Sequence, residues 1–155
     1  MKEFRIITLR ECATEPEMVD APEKIAAYWR THIQPNIDGT REHLVVFLLN
    51  VRCRLIGHEL IGMGTLNSVL LASRDIFRLA IMQAAHSVVI AHNHPSGDPE
   101  PSPEDVRGTR AMVRAGQVLG IELMDHVVIG FGGKFASLKA LGLLYEPTRR
   151  RRSPK

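Results

Sequence analysis

At 155 residues, the chain is the size of one domain with a real core, and at 45% hydrophobic and 24% charged it has the composition of a soluble globular protein. The formal net charge of +3 is uneven: Arg149, Arg150, Arg151, Arg152 and Lys155 supply five of the 20 basic residues, leaving 15 basic against 17 acidic residues in the body. That balance argues against a folded nucleic-acid-binding face, and the five Phe, two Tyr and one Trp are not interleaved with basic residues as base stacking requires.

No apolar run approaches the ~20 residues of a bilayer span, and Met1-Lys2-Glu3-Phe4-Arg5 leads into no apolar signal core, so a cytoplasmic protein without membrane contact is expected. Cys12 and Cys53, with no CxxC and no regular spacing, fit a reducing compartment and read as buried small hydrophobes. Three parts are expected: an N-terminal strand and extension over 1–20, a folded domain over 21–147, and a basic, disordered tail over 148–155.

In chain order, Phe4 to Leu9 reads as a short strand. Asp20 or Ala21 caps a helix that opens at Pro22, places Ile25, Tyr28, Trp29 and Ile33 on one face and stops at Pro35. Glu42 to Leu49 reads as a strand, 50–54 as a turn, and Leu55 to Met63 as the returning strand, interrupted by Gly57, Gly62 and Gly64. Ser73 to Ala85 has apolar residues at helical spacing (76, 77, 79, 80, 81 and 84), with Ser73 as N-cap. Ser87 to His92 is a continuous apolar strand, the pattern of one covered on both faces. A Pro- and Gly-rich loop over 93–101 precedes a helix from Pro103 to Leu119, stopped by Gly120. Ile121 to Ile129 is a strand, 130–133 a turn and Lys134 to Ser137 a short strand, and Leu138 to Tyr145 packs the end. The order predicts an α/β sandwich, a mixed sheet with helices on its faces.

The segment from His92 to Asp105 carries the chemistry. Side chains two apart on a strand share a side, so His92 and His94 can converge while Asn93 faces away. Pro95, Gly97, Pro99 and Pro101 restrict the loop that follows, which delivers Ser102 and Asp105 one turn apart at a helix start. Two imidazoles and a carboxylate suit one zinc ion and leave a fourth position open, the catalytic rather than the structural arrangement. Two histidines and an aspartate also accommodate iron, cobalt or manganese. A general base must come from elsewhere, and Glu42, at the mouth of the hairpin, is the candidate. The Ser102 hydroxyl and the helix N-terminus are candidate oxyanion donors.

Glu42, then His92-x-His94, seven residues, then Ser102-x-x-Asp105 resembles the JAMM motif of the JAB/MPN metalloproteases. His92-Asn93-His94-Pro95-Ser96-Gly97-Asp98, with Arg74-Asp75-Ile76-Phe77-Arg78 and Asp125-His126-Val127-Val128-Ile129-Gly130, is similar to the RadC-like branch. The likeness runs from about Asp20 to Tyr145. It implies a JAB/MPN domain, a cytidine-deaminase-like three-layer sandwich, with one zinc ion on His92, His94 and Asp105, Glu42 as general acid/base and Ser102 stabilising the oxyanion. Typical members also carry an upstream helix-hairpin-helix segment, for which the residues before Asp20 are too few. No counterpart is seen of the added segments with which eukaryotic relatives bind ubiquitin, so no substrate carries over.

Bland alternatives accompany several of these residues. Ser102-Pro103-Glu104-Asp105 is also ordinary helix-start chemistry. Asp125 and His126 are either a pair orienting a ligand or a buried hydrogen-bonded pair. His32, His43, His58 and His86 have no convergent partners in the sequence and read as structural. The expected function is zinc-dependent hydrolysis of an amide, peptide or isopeptide bond in a peptide or protein substrate. The alternative is a RadC-like DNA-repair or mobile-element accessory protein with a structural or vestigial zinc site, touching nucleic acid at most through its tail. A nucleobase deaminase, which would need a His-x-Glu and Pro-Cys-x-x-Cys ligand set, is set aside because the chain has no Cys pair.

Overall fold

The computed structural model describes residues 17–63 and 73–146. The Phe4–Leu9 strand, Cys12, Gly64 and the Arg149–Arg152 run lie outside the described residues.

Strands β1 (His43–Leu49), β2 (Leu55–Met63), β3 (Ser87–Asn93), β4 (Glu122–Ile129) and β5 (Phe135–Ser137) form one sheet in the order β2-β1-β3-β4-β5. β3 and β4 are parallel, and the other neighbours are antiparallel. Every residue of β1 and β3 is buried, since both strands are covered on both faces. Alternation divides their side chains between two cores. Leu44, Val46, Leu48, Val88 and Ile90 pack with α2 (Ser73–Met82) and α3 (Pro103–Leu119). Val45, Phe47, Leu49, Val89 and Ala91 pack with Ile25 and Ala26 of α1 (Pro22–Tyr28) and with Trp29. The three-layer α/β sandwich expected from the sequence is the observed architecture.

The helices depart from expectation at their ends. The α-helical hydrogen bonding of α1 stops at Tyr28 and continues as a π-helical turn, Trp29–Ile33, and a 3-10 turn, Gln34–Asn36, so Pro35 sits inside the last turn rather than ending the helix. Ile25, Trp29 and Ile33 are buried as expected, and Tyr28 is half-buried. Ala21, not Asp20, holds the cap position of α1, without a side-chain hydrogen bond. α2 begins with Ser73 itself and ends at Met82, because Ala84 takes a left-handed φ of 50° and the Ala85 N–H turns back to the Ala80 carbonyl. Ile76, Phe77 and Ala80 form its buried stripe, while Ile81, 56% exposed, lies outside it.

α3 follows the sequence closely. Ser102 caps it, Pro103 opens it, and Gly120 closes it at φ 70°, a conformation that glycine takes without strain. Cys53, in the turn between β1 and β2, is a free, half-buried thiol rather than a buried hydrophobe. Among the described residues, no helix is long and apolar enough to cross a membrane.

Candidate metal centre

The C-terminal end of β3 and the N-terminal end of α3 meet at one point. His92 pairs with Leu44 of β1 and shares its face of the sheet, toward α3. His94 lies just past the strand, where its N–H bonds the Ile129 carbonyl (3.0 Å) and its Nδ1 donates to the Asp98 carbonyl (2.7 Å). The loop between them and α3 is pressed against the 130–133 turn. Gly97 has φ 81°, and a Cβ there would reach within 2.1 Å of the Phe131 ring; a Cβ on Gly130 would come within 2.5 Å of the Gly97 carbonyl oxygen. Two bare backbones are what this approach allows.

His92, His94 and Asp105 are, among the described residues, the one group of three or more such side chains close enough to share an ion. His92 Nε2 lies 3.0 Å from His94 Nε2, and each faces a different Asp105 oxygen at 3.4 Å: Oδ1 for His92, Oδ2 for His94. A tetrahedral ion with bonds of about 2.0–2.1 Å needs donor separations of about 3.3–3.4 Å. The donor atoms therefore already stand near the edges of such a tetrahedron. Asp105 Oδ1 is also buried with no hydrogen-bond donor among the described residues, an arrangement that costs about 1–3 kcal/mol unless something compensates. A small divalent cation fits this set.

The electrostatics agree. Burial, followed by the neighbouring His126, pushes the His92 pKa well below its ordinary value, which favours the neutral, ligating imidazole. Burial would raise Asp105, but His94, the charge of His92 and the hydrogen bonds from Ser102 outweigh it and hold the carboxyl well below the usual range. His94 is raised, chiefly by its contact with Asp105.

Glu42 stands one residue before β1, two before Leu44, so strand alternation turns it to the same face as His92. It is half-buried, and its charge is felt at His94, where it favours the protonated ring. Asn93 faces the other way, as expected, yet it bears on the site. Its Oδ1 accepts the His43 N–H and its Nδ2 donates to the Arg41 carbonyl, both at 2.9 Å, so one carboxamide grips the backbone on either side of Glu42. Nothing in the composition marks Asn93; its place between the two histidines is the available signal.

Ser102 is turned toward Asp105. Its hydroxyl donates to Asp105 Oδ2 (2.7 Å) and accepts the Asp105 N–H (3.1 Å), while its own N–H also bonds Oδ2 (2.7 Å). This capping box fixes the carboxylate while closing the helix end. Asp125 and His126 do not pair through their side chains. Asp125 accepts from the His126 and Lys139 N–H groups and from the Ser137 hydroxyl, whereas the His126 ring points into the site between Thr109 and His92. Burial lowers the His126 pKa to about 4. Thr109, missed in the sequence, sits four residues after Asp105 on the same helix face, and that spacing was its signal.

His43 is buried, with its Nδ1 donating to the Arg41 carbonyl. His32 and His58 converge more than the sequence indicated. Both lie against Tyr28, whose hydroxyl is 3.2 Å from His58 Nδ1 and whose ring centre is 4.3 Å from that of His32. They line a cleft of about 460 Å³ on the α1 side of the sheet, the face opposite His92 and Asp105.

The RadC-like JAB domain model matches residues 19–143 of the chain. Curated relatives include the UPF0758 protein of Desulforamulus reducens, 45% identical over 107 residues, which covers 69% of this chain and 47% of the relative. The UPF0758 protein of Symbiobacterium thermophilum is 48% identical over 103 residues (66% and 44%), and that of Methanococcoides burtonii 42% identical over 104 (67% and 45%). The chain thus spans a little under half the length of the curated relatives it matches. With the family match running through the sheet, the histidine loop and α3, this chain belongs to the RadC-like JAB domain family.

Proposed function

We propose that the chain is a metal-dependent hydrolase of the JAMM type that uses one zinc ion to cleave an amide, peptide or isopeptide bond. The observation that carries the reading is the cluster itself: three side chains from the end of β3, the loop after it and the start of α3, donor atoms 3.0–3.4 Å apart, with a buried carboxylate oxygen that no hydrogen-bond donor among the described residues satisfies.

When bound, zinc supplies Lewis acidity, polarising a carbonyl and bringing the acidity of water near neutral pH. His92, His94 and Asp105 hold it. The Glu42 carboxylate takes the proton that water loses as its oxygen bonds the carbonyl carbon, and returns it to the nitrogen as the C–N bond breaks. Ser102 keeps Asp105 in place; its hydroxyl, rotating about one bond, is also the proposed donor to the developing oxyanion. The reading assigns the chain to the cytoplasm, in keeping with a free Cys53, and a peptide or protein as its substrate.

The deciding experiment measures zinc per chain in native protein and in His94→Ala, purified without added metal, then screens peptide and isopeptide substrates with Glu42→Gln as control. About one zinc in the native protein, lost in the variant, with hydrolysis that Glu42→Gln abolishes, is the expected result. Folded native protein that neither contains nor takes up zinc removes the proposal.

The Arg149–Arg152 run favours a second reading, an accessory module for DNA with a structural metal. DNA retention that persists in high salt after residues 149–155 are deleted would support it; retention lost with the tail would not.

A further inference from the structure

Thr109, His126 and His92 form a hydrogen-bonded chain from the backbone of α3 to the metal-facing edge of His92. Thr109 Oγ1 is 2.6 Å from the Asp105 carbonyl oxygen and 2.6 Å from His126 Nδ1, and His126 Nε2 is 2.8 Å from His92 Nδ1. All three residues are buried. The direction of each bond follows from counting protons. A carbonyl oxygen only accepts, so the single hydroxyl proton of Thr109 points at Asp105. Thr109 can then only accept from His126, which puts the ring proton of His126 on Nδ1. Both nitrogens of this buried ring meet uncharged partners, so it stays neutral and its Nε2 offers a lone pair. His92 must therefore donate from Nδ1, and a neutral imidazole protonated there presents a bare lone pair at Nε2. That Nε2 is the atom facing His94 at 3.0 Å and Asp105 at 3.4 Å.

The opposite arrangement fails on the same count. A proton on His126 Nε2 would leave Thr109 between two acceptors with one proton to give, and would force the His92 proton onto the nitrogen that faces Asp105.

We infer that Thr109 and His126 are positioning residues that lock His92 in its metal-ligating tautomer. The inference rests on the zinc-site reading above. It extends that site from three side chains to five and ties the orientation of one ligand to the carbonyl of another, Asp105, through the first two turns of α3.

The test pairs Thr109→Val, which keeps the shape and removes the hydroxyl, with Thr109→Ser, which keeps the hydroxyl. Nitrogen-15 NMR of the imidazole rings in metal-free protein reads the tautomers without any ion, and competition with a chromophoric chelator reads zinc affinity. The expected result is a proton on Nδ1 of both His92 and His126 in the native protein and in Thr109→Ser. In Thr109→Val the rings shift toward the Nε2 form and zinc binds about 10–100-fold more weakly, with native affinity restored in Thr109→Ser. A native His92 ring protonated on Nε2, or a folded Thr109→Val protein that binds zinc as tightly as native, overturns the inference. A native protein with the expected tautomers that takes up no zinc overturns the zinc-site reading, and with it the positioning role, while leaving the direction of the chain established.

Discussion

Asn93 Oδ1 accepts the backbone N–H of His43 at 2.9 Å, so the residue between the two site histidines is tied to the residue that follows Glu42. With the second bond, from Nδ2 to the Arg41 carbonyl, the strand that supplies His92 also sets the backbone that supplies the proposed base. Removing this side chain separates the two functions. Asn93→Ala should retain zinc, because His92, His94 and Asp105 are untouched, yet lose most hydrolysis as Glu42 drifts. It should also lose about 1–3 kcal/mol of stability for the backbone groups left unpaired. Metal content, denaturant melts and kcat on the same preparation check this; a variant with native kcat refutes the clamp.

Metal should stabilise the fold, since the ion would bind a set of groups assembled only when β3 and α3 are in place. Zinc at 100 times its Kd adds about 2.7 kcal/mol, which raises the Tm of a domain this size by about 5–11 °C. Asp105→Asn, which keeps an oxygen for the Ser102 cap and removes the anion, should show no such rise. Melting curves with zinc and with chelator compare the two. An equal rise in both proteins would mean that the ion binds elsewhere.

Much of this was legible in the sequence, for identifiable reasons. β1 and β3 announce themselves because strands covered on both faces must be apolar throughout, and α3 because Ser102, Pro103 and Gly120 each satisfy a specific need of a helix end. The candidate ligands were legible because strand alternation and helix spacing bring His92, His94 and Asp105 together with few alternatives. The continuation of α1 past Tyr28 was not legible, since a π-helical turn changes hydrogen-bond partners without changing which residues are apolar. Asn93 and Thr109 carried only weak local signals, a place between two histidines and a four-residue step from Asp105, and His126 stood as one of two alternatives; what fixes their contacts is a partner 17 to 52 residues away, a separation that no local pattern encodes.

The close packing of the histidine loop on the 130–133 turn makes a stability prediction away from the ligands. In Gly130→Ala the new methyl would lie 2.5 Å from the Gly97 carbonyl oxygen and 2.9 Å from Pro99 Cδ, so backbone on one side must move. The cost should be about 1–3 kcal/mol. Because the Phe131 N–H and the Gly97 carbonyl hold the loop at 3.0 Å, zinc should also dissociate faster. Stopped-flow chelation alongside a denaturant melt reads both effects. Unchanged stability would show that the loop shifts freely and does not preorganise His94.

Ser102 offers the sharpest division between fold and chemistry. Its hydroxyl caps α3 and bonds Asp105, so Ser102→Ala should cost about 1 kcal/mol of stability from the cap alone. If that were its whole role, zinc affinity would fall modestly as Asp105 loosens, and kcat at saturating zinc would stay near native. As the oxyanion donor, it should instead lower kcat by about 10²–10³-fold with zinc still bound and KM little changed, because the lost bond forms only as charge develops on the carbonyl oxygen. Ser102→Thr keeps both the hydroxyl and the cap, and should recover most of kcat. A Ser102→Ala protein that is zinc-loaded, folded and fully active would confine Ser102 to holding the helix start and Asp105, and would leave the helix N-terminus as the candidate to meet the developing charge.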